Sequence, residues 1–456
     1  MSEEYLWGAA TERAIAAFPV SGQPMPREFL LALVVIKQCA AEANKELGVL
    51  DPVKADAIVS AAQEIIDGGR WDQFPVDLYQ TGSGTSSNMN ANEVIAALAG
   101  KYLPAGVTVH PNDDVNKGQS SNDVVPTAMR ICFALALQQR LIPALERLRD
   151  VLAAKTAEFW PVLKLARTHL QDATPIRLGQ EFLGYHGQTE TCLDLTRRAL
   201  DTLGPVPLGG TATGTGINTH PGFAKAACER VSRRLGVTVT ETGNHFSAQS
   251  TLDTVLAAHA DVRTVALSLG KIASDIRLLA TGPRTGLGEL VVPDAGVTSS
   301  IMPGKNPPVV IESLLMVIAR VLGNDSTLSY AQTGSVLELN LMMPITIASA
   351  LESVTLLAAA AANFAGSCVA GLEATDQGPR NVRRGVMLAT ALTPLIGYDA
   401  ASAMTKEALD NGEDIHEVAL RNGLTPEQLA ELFDPAAMTG ATDAPPLLGL
   451  PPEPGQ

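Results

Sequence analysis

The sequence predicts an all-α protein, on three observations. Hydrophobic residues make up 46% of the 456 positions but aromatics only 4%, with alanine and leucine abundant, which favours packed helices over β-sandwiches. Long stretches carry apolar residues at helical spacing. Strand signals are few and short, as in "GVTVHP" from Gly106.

The clearest element is "AMRICFALALQQRLIPALERLRDVLAAKTAEF". Leu137, Leu141, Leu145, Leu148 and Leu152 form one stripe along it. Pro143 should kink this helix without ending it, since the stripe continues beyond. Similar patterns recur at 178–200, 249–280, 309–322 and 345–364, with Gly323 as an expected C-cap. Long helices in the middle of a chain suggest a bundle. The greasiest stretch, "LLAAAAANFAGSCVAGLEA", contains Asn363 and Ser367 and leans on alanine, so it reads as a buried bundle helix rather than a bilayer span. Gly and Pro cluster at 81–92, 104–118, 204–222 and 282–308, which read as loops. The tail from Asp443 is proline-rich and reads as disordered.

Charge and cysteine usage narrow the function. The net charge is -15 and the pI about 5.0, which argues against nucleic acid or an anionic membrane as the main partner. An anionic substrate would then need positive potential concentrated locally. The cysteines, at 39, 132, 192, 228 and 368, form no CxxC pair and no zinc spacing. With an odd count and no secretory signal, they fit a reducing cytoplasm and small buried apolar positions.

Five polar loops hold the candidate chemistry. "TGSGTSSNMNANE" (81–93) offers Ser83, Thr85 and further hydroxyls and amides with no charge before Glu93. Such a loop can donate to an anion, or it is a Gly/Ser turn leading into a helix cap. No phosphate-loop pattern is present. "HPNDDVNKGQSSND" (110–123) groups His110, Asn112 and Asp113 in metal-loop style, but the spacing fits no EF-hand. Its Ser120, Ser121 and Asn122 precede a helix, and for Ser121 capping is the simpler reading. "RTHLQDATP" (167–175) sets His169 between apolar helix sequence and a Thr-Pro stop, where a lone histidine is more often structural than catalytic. "LGGTATGTGINTHP" (208–221) allows close backbone approach to a ligand. "TSSIMPGKNPPVVIE" (298–312) places Lys305 just before a helix N-terminus, where its charge and the helix dipole add, with Pro307 or Pro308 in the first turn and Glu312 about one turn in.

Together these blocks carry a resemblance. "TGSGTSSNMNANEVIA", "VHPNDDVNKGQSSNDVVPTAM", "ARTHLQDATPIRLGQEF", "LGGTATGTGINTHP", "SSIMPGK", "LELNLMMP" and "TALTPLIGYDAA" resemble class II fumarases of the fumarase/aspartase superfamily. The likeness runs from about residue 5 to about residue 440. "DATP" and "NTHP" differ from the usual aspartase forms. The resemblance implies an all-α, three-domain fold. Here that gives residues 1–117, then a central bundle over 118–372, then a small helical domain over 373–456. Central helices of four copies would form a twenty-helix core in a homotetramer, and each active site would collect loops from three subunits.

The resemblance also implies roles. Ser299 is the expected base, and Lys305 stabilises the aci-carboxylate that proton removal creates. His169, paired with Glu312, handles the leaving water. Ser83, Thr85, Ser120, Ser121, Asn122, Thr168 and Asn306 are expected to bind substrate. His110, Asn112 and Asp113 match a second dicarboxylate site. No metal and no organic cofactor is expected, and the partner is a small dicarboxylate. Fumarate hydration to malate is the expected reaction. A lyase releasing an amine or other group from a substituted succinate is the alternative, and a non-catalytic relative is disfavoured because serine, lysine and histidine are all kept.

The departures sharpen the question. Fumarases usually read GSSIMPGKVNP. Here Thr298, Asn306 and Pro307 stand where glycine, valine and a carboxylate-binding asparagine are usual. Asn306 would have to supply the lost amide after a small loop shift. Ser247 stands where a glutamate is common, and Gly106, Val107 and Thr108 replace basic residues before the "VHPND" block.

Overall fold

The leucine stripe folds as a helix that survives its proline. In the computed structural model, which describes residues 5–297, 299–440 and 443, helix Ser121–Ala136 enters a π-turn at Leu137–Leu141 and continues as helix Ile142–Glu158. Pro143 has no N–H to offer the preceding turn, and the widened turn just before it absorbs the mismatch. All five leucines of the stripe are buried. Helices Leu178–Leu203, Asp253–Leu279, Val309–Ala331 and Met343–Ser367 follow the other stripes. The all-α expectation holds.

Several boundaries differ from expectation. The helix from Val309 runs through Gly323, which is not its C-cap. Gly323 is exposed while Ile318, Val321 and Leu328 are buried, so the apolar stripe carries the helix across a glycine that costs under about 1 kcal/mol. "GVTVHP" forms no strand. The segment 81–92 is loop only to Gly84, and helix Thr85–Ala99 begins at once. Thr298 and the tail residues 444–456 lie outside the described residues.

Helix Met343–Ser367 is long and apolar enough to cross a membrane by length and composition. Its buried residues Ile347, Ala350, Val354, Leu357, Ala361 and Phe364 form a stripe, and buried Ser353 hydrogen-bonds into the fold, as a core helix requires.

Strands occur only as two-stranded pairs among the described residues. The longest pair, Leu163–Thr168 with Gln171–Arg177, is an antiparallel hairpin that the sequence reading did not anticipate. His169 and Leu170 form its corner with φ of 56° and 61°. Two left-handed residues in a two-residue loop match the right-handed twist of the flanking strands.

The chain divides into two compact units. The first comprises Met1–Pro143, Asp194–Ala266 and Val317–Ala359. Here helices Arg27–Glu46 and Pro52–Ile66 pack together, and the first of them also packs on helix Ser121–Ala136. A polar layer joins three helices of this unit. Buried His259 meets Asp325 at 2.9 Å and Ser353 at 3.0 Å, and Asn324 donates to Ser353 at 3.1 Å. The second unit comprises Ala144–Leu193, Leu267–Met316 and Ala360–Gln456. Its C-terminal helices close over a core of Leu388, Leu392, Ile415, Val418, Leu429 and Phe433. Its hairpin is pinned by buried charges: Lys164 donates to Glu181 at 2.7 Å, and Arg167 donates to Glu289 at 2.8 Å.

The five cysteines are all buried and none forms a disulfide. Burial pushes the Cys39 and Cys368 thiols up to about 12.

Candidate active site

In the first unit, two helix starts bring neutral donors together. Gly82 must lack a side chain, because a Cβ there would lie 1.7 Å from the Leu341 carbonyl oxygen. Its own carbonyl accepts from Met343 N at 2.9 Å, which ties this loop to the "LELNLMMP" segment. Gly84 adopts φ of 72°, and its Cβ would meet Val125 at 2.8 Å. Two glycines therefore press the start of helix Thr85–Ala99 against helix Ser121–Ala136. As a result Thr85 Oγ1 lies 2.8 Å from Ser121 Oγ and 2.7 Å from Ser83 Oγ.

The cap of helix Ser121–Ala136 is Ser120, not Ser121. Ser120 Oγ accepts from Asn122 N at 3.2 Å, and Asp123 Oδ1 accepts from Ser120 N at 2.8 Å, completing a capping box. Ser121 is thereby released from capping and faces Thr85. Asn122 donates through Nδ2 to the Ala212 carbonyl at 2.8 Å, which fixes its amide against the "TATGTG" loop.

Asp123 organises both loops. Its Oδ2 accepts from Gly209 N and Thr211 N, each at 3.0 Å. Burial pushes this carboxyl up, while backbone N–H groups of Ser120, Thr211 and Gly209 and the charge of Lys37 oppose it. Lys37 is itself fully buried and donates to Asn116 Oδ1 at 2.7 Å. Burial lowers its pKa to about 7, with Asp123 pulling the other way. Asp123 and Lys37 escaped the sequence reading. A lysine inside "FLLALVVIKQCA" was the one available signal.

Asn112 and Asp113 lie in a π-turn, Pro111–Val115, and His110 caps its start. His110 Nδ1 accepts from Asp113 N at 3.2 Å, and Asp114 holds His110 N at 2.8 Å while pairing with Lys54 at 2.8 Å. The Asp113 carboxylate is exposed.

In the second unit, Thr168 and His169 sit at the exposed hairpin corner, not between a helix and a stop. Ser299 Oγ accepts from Met302 N at 3.0 Å and from Ile301 N at 3.3 Å, so the loop folds its backbone donors onto that hydroxyl. Lys305 and Glu312 line one cavity of about 390 Å³, with Asn306, Pro307 and Arg277. The helix starts at Val309, just beyond Pro307 and Pro308, with Glu312 in its first turn. Asn306 donates one amide N–H to the Val292 carbonyl at 3.0 Å, which leaves the other for a ligand.

Among the described residues, no hydrogen bond or ion pair joins His169 to Glu312 within the chain. No group of three or more His, Cys, Asp or Glu side chains among them could hold a metal ion. The arrangement offers neutral hydroxyl and amide donors in one unit. In the other it offers a hydroxyl cradled by backbone N–H groups and a lysine beside a helix start. These are parts that can bind a carboxylate and stabilise negative charge beside it.

Known proteins match along about 95% of the chain. A family model described as lyase matches residues 2–323, and one described as fumarase C C-terminus matches residues 388–440. A protein of Halobacterium salinarum named fumarate hydratase class II is 50% identical over 438 residues, covering 95% of this chain and 93% of its own. A fumarate hydratase class II of Methylorubrum extorquens is 46% identical over 440 residues, covering 95% and 93%. The crystal structure of a class II fumarase from Schistosoma mansoni superposes with a TM-score of 0.92 at 35% identity, covering 96% of each chain.

Proposed function

The chain belongs to the class II fumarases of the fumarase/aspartase superfamily, and from that membership we propose that it catalyses the reversible hydration of fumarate to malate. In the dehydration direction Ser299 takes the proton from the carbon beside a carboxylate. The electron pair moves into that carboxylate as an aci-carboxylate dianion, and Lys305 stabilises it. Collapse of the dianion forms the double bond and expels the hydroxyl, which leaves as water with a proton from His169. Glu312 orients that imidazole.

Ser83, Thr85, Ser120, Ser121, Asn122, Thr168 and Asn306 hold the substrate carboxylates by neutral hydrogen bonds. His110, Asn112 and Asp113 form a second dicarboxylate site. Among the described residues His169 and Glu312 do not meet within one chain, and the proposed mechanism pairs them between copies. The assembly is accordingly a homotetramer whose sites draw on three subunits, and its compartment is the cytoplasm. The division into 1–117, 118–372 and 373–456 is the proposed domain plan, supported for the last part by the separate core around Leu388 and Phe433.

One observation carries the reading. The N–H groups of Ile301 and Met302 both point at Ser299 Oγ. Donors aimed at an oxygen favour its charged form, which is what a serine needs to act as a base near neutral pH. Release of an amine is not favoured, since the relatives described above are named as hydratases. The test is a malate and aspartate assay, following fumarate by ultraviolet absorbance, with wild type and Ser299→Ala. Wild type should act on malate and not on aspartate, and the variant should lose elimination while keeping its assembly. Activity of the variant within about tenfold of wild type would remove Ser299 from the role of base.

A further inference from the structure

Arg277 lies in the last turn of helix Asp253–Leu279 and lines the cavity shared by Lys305, Asn306, Pro307 and Glu312. The chain is acidic, at net charge -15, and its arginines commonly rest on carboxylates. Arg320 is on Glu352, Arg263 on Asp325 and Arg167 on Glu289. Among the described residues, neither Arg277 nor Lys305 has a side-chain hydrogen bond or ion pair. Two unpaired cations therefore line one void, and among the described residues Glu312 is the single carboxylate lining it.

The loop beside Lys305 offers few donors of its own on this side. Pro307 offers no amide and no N–H. Asn306 has one N–H committed to Val292. We propose that Arg277 is a substrate-binding residue whose guanidinium grips a carboxylate of the substrate in the cavity beside Lys305, replacing the contact that Pro307 cannot make. A planar fork of donors suits a carboxylate bidentately, whereas lysine contributes a point charge. Lys305 is then spared for the charge that develops during reaction. The proposal rests on the reading that the substrate is a dicarboxylate.

The test uses the full chain with Arg277→Gln and Arg277→Lys. It measures steady-state kinetics on malate, equilibrium binding of succinate as an unreactive dicarboxylate, and thermal unfolding. The glutamine variant should raise the malate KM and the succinate Kd about tenfold to a hundredfold. Its kcat should stay within a few-fold of wild type and its Tm should not move. The lysine variant should be intermediate. If Arg277 only caps its helix, Tm moves and KM does not, and the proposal falls. If wild type turns over malate and both variants keep its KM and Kd, Arg277 is excluded while the hydratase reading stands. If wild type ignores malate but binds succinate, and the variants lose that binding, the hydratase reading falls and Arg277 stands. Should the glutamine variant fail to fold, the lysine variant decides on the same criteria.

Discussion

The residue whose replacement matters most to the reactive loop is Asn306, because it does two jobs at once. One amide N–H anchors the loop to the Val292 carbonyl at 3.0 Å, and the residue also lines the cavity, with a second N–H to offer. Replacing it with the valine usual in fumarases would free the loop as well as remove a donor. Pro307 has no such tie, since its carbonyl alone is used, by Val309 N at 2.8 Å. The two positions should therefore respond in opposite directions. Pro307→Asn with Asn306 kept should lower the malate KM, by about tenfold or more for one restored hydrogen bond to a charged group. Asn306→Val should raise it. Steady-state kinetics on the two single variants checks this, and an unchanged KM for Pro307→Asn would show that the position does not face a substrate carboxylate.

At the scale of elements, Glu93 shows how one side chain fastens a helix to the rest. Its carboxylate accepts from Gly8 N at 2.9 Å, Ala10 N at 2.9 Å, Thr11 N at 3.1 Å and Thr11 Oγ1 at 2.7 Å, covering the start of helix Ala9–Ala17. Burial pushes the Glu93 carboxyl up, but these donors outweigh it and hold it below the usual carboxylate range. The folded protein thus binds this proton more weakly than the unfolded chain. The stability it contributes is present above the unfolded glutamate pKa and is lost as pH falls through the folded value. Glu93→Gln should cost about 1–3 kcal/mol at neutral pH and flatten the acid limb of stability against pH. Denaturant titrations at matched protein concentration would show it, and an unchanged acid limb would defeat it. The long central helices were legible from their stripes, whereas helix Ala9–Ala17 was not read from the sequence and the start of helix Thr85–Ala99 was read as loop. The hairpin Leu163–Arg177 was not legible either, and the reason is physical. Its burial depends on Lys164 finding Glu181 beyond the hairpin and Arg167 finding Glu289 far along the chain, so its polar letters look exposed in sequence. Pro175 also argues against a strand. In the same way the neutral donors of Thr85 and Ser121 could be read as residue types. Their meeting depends on Gly82 and Gly84 fitting partners that only folding supplies.

At the scale of the whole molecule, the central helices keep apolar surface outward. Leu267 is 50% exposed, Met316 68% and Tyr330 69%, on two neighbouring long elements of the sequence. Large apolar side chains left in water on long helices mark an association surface. The protein should therefore run as a homotetramer by light scattering at micromolar concentration, and a monomer would undo both the assembly and the sharing of sites. Met316→Glu should weaken the assembly and, with it, activity, so that specific activity becomes dependent on dilution. A second whole-molecule consequence comes from the mirror-image corner at His169 and Leu170. A two-residue corner has almost no slack, and an imidazole mounted on it has only its own two torsions left to settle. A long mobile loop surrenders its freedom afresh at each catalytic cycle. In the proposed mechanism that ordering cost falls once, when the polypeptide folds, so His169 would enter each cycle on a backbone already set.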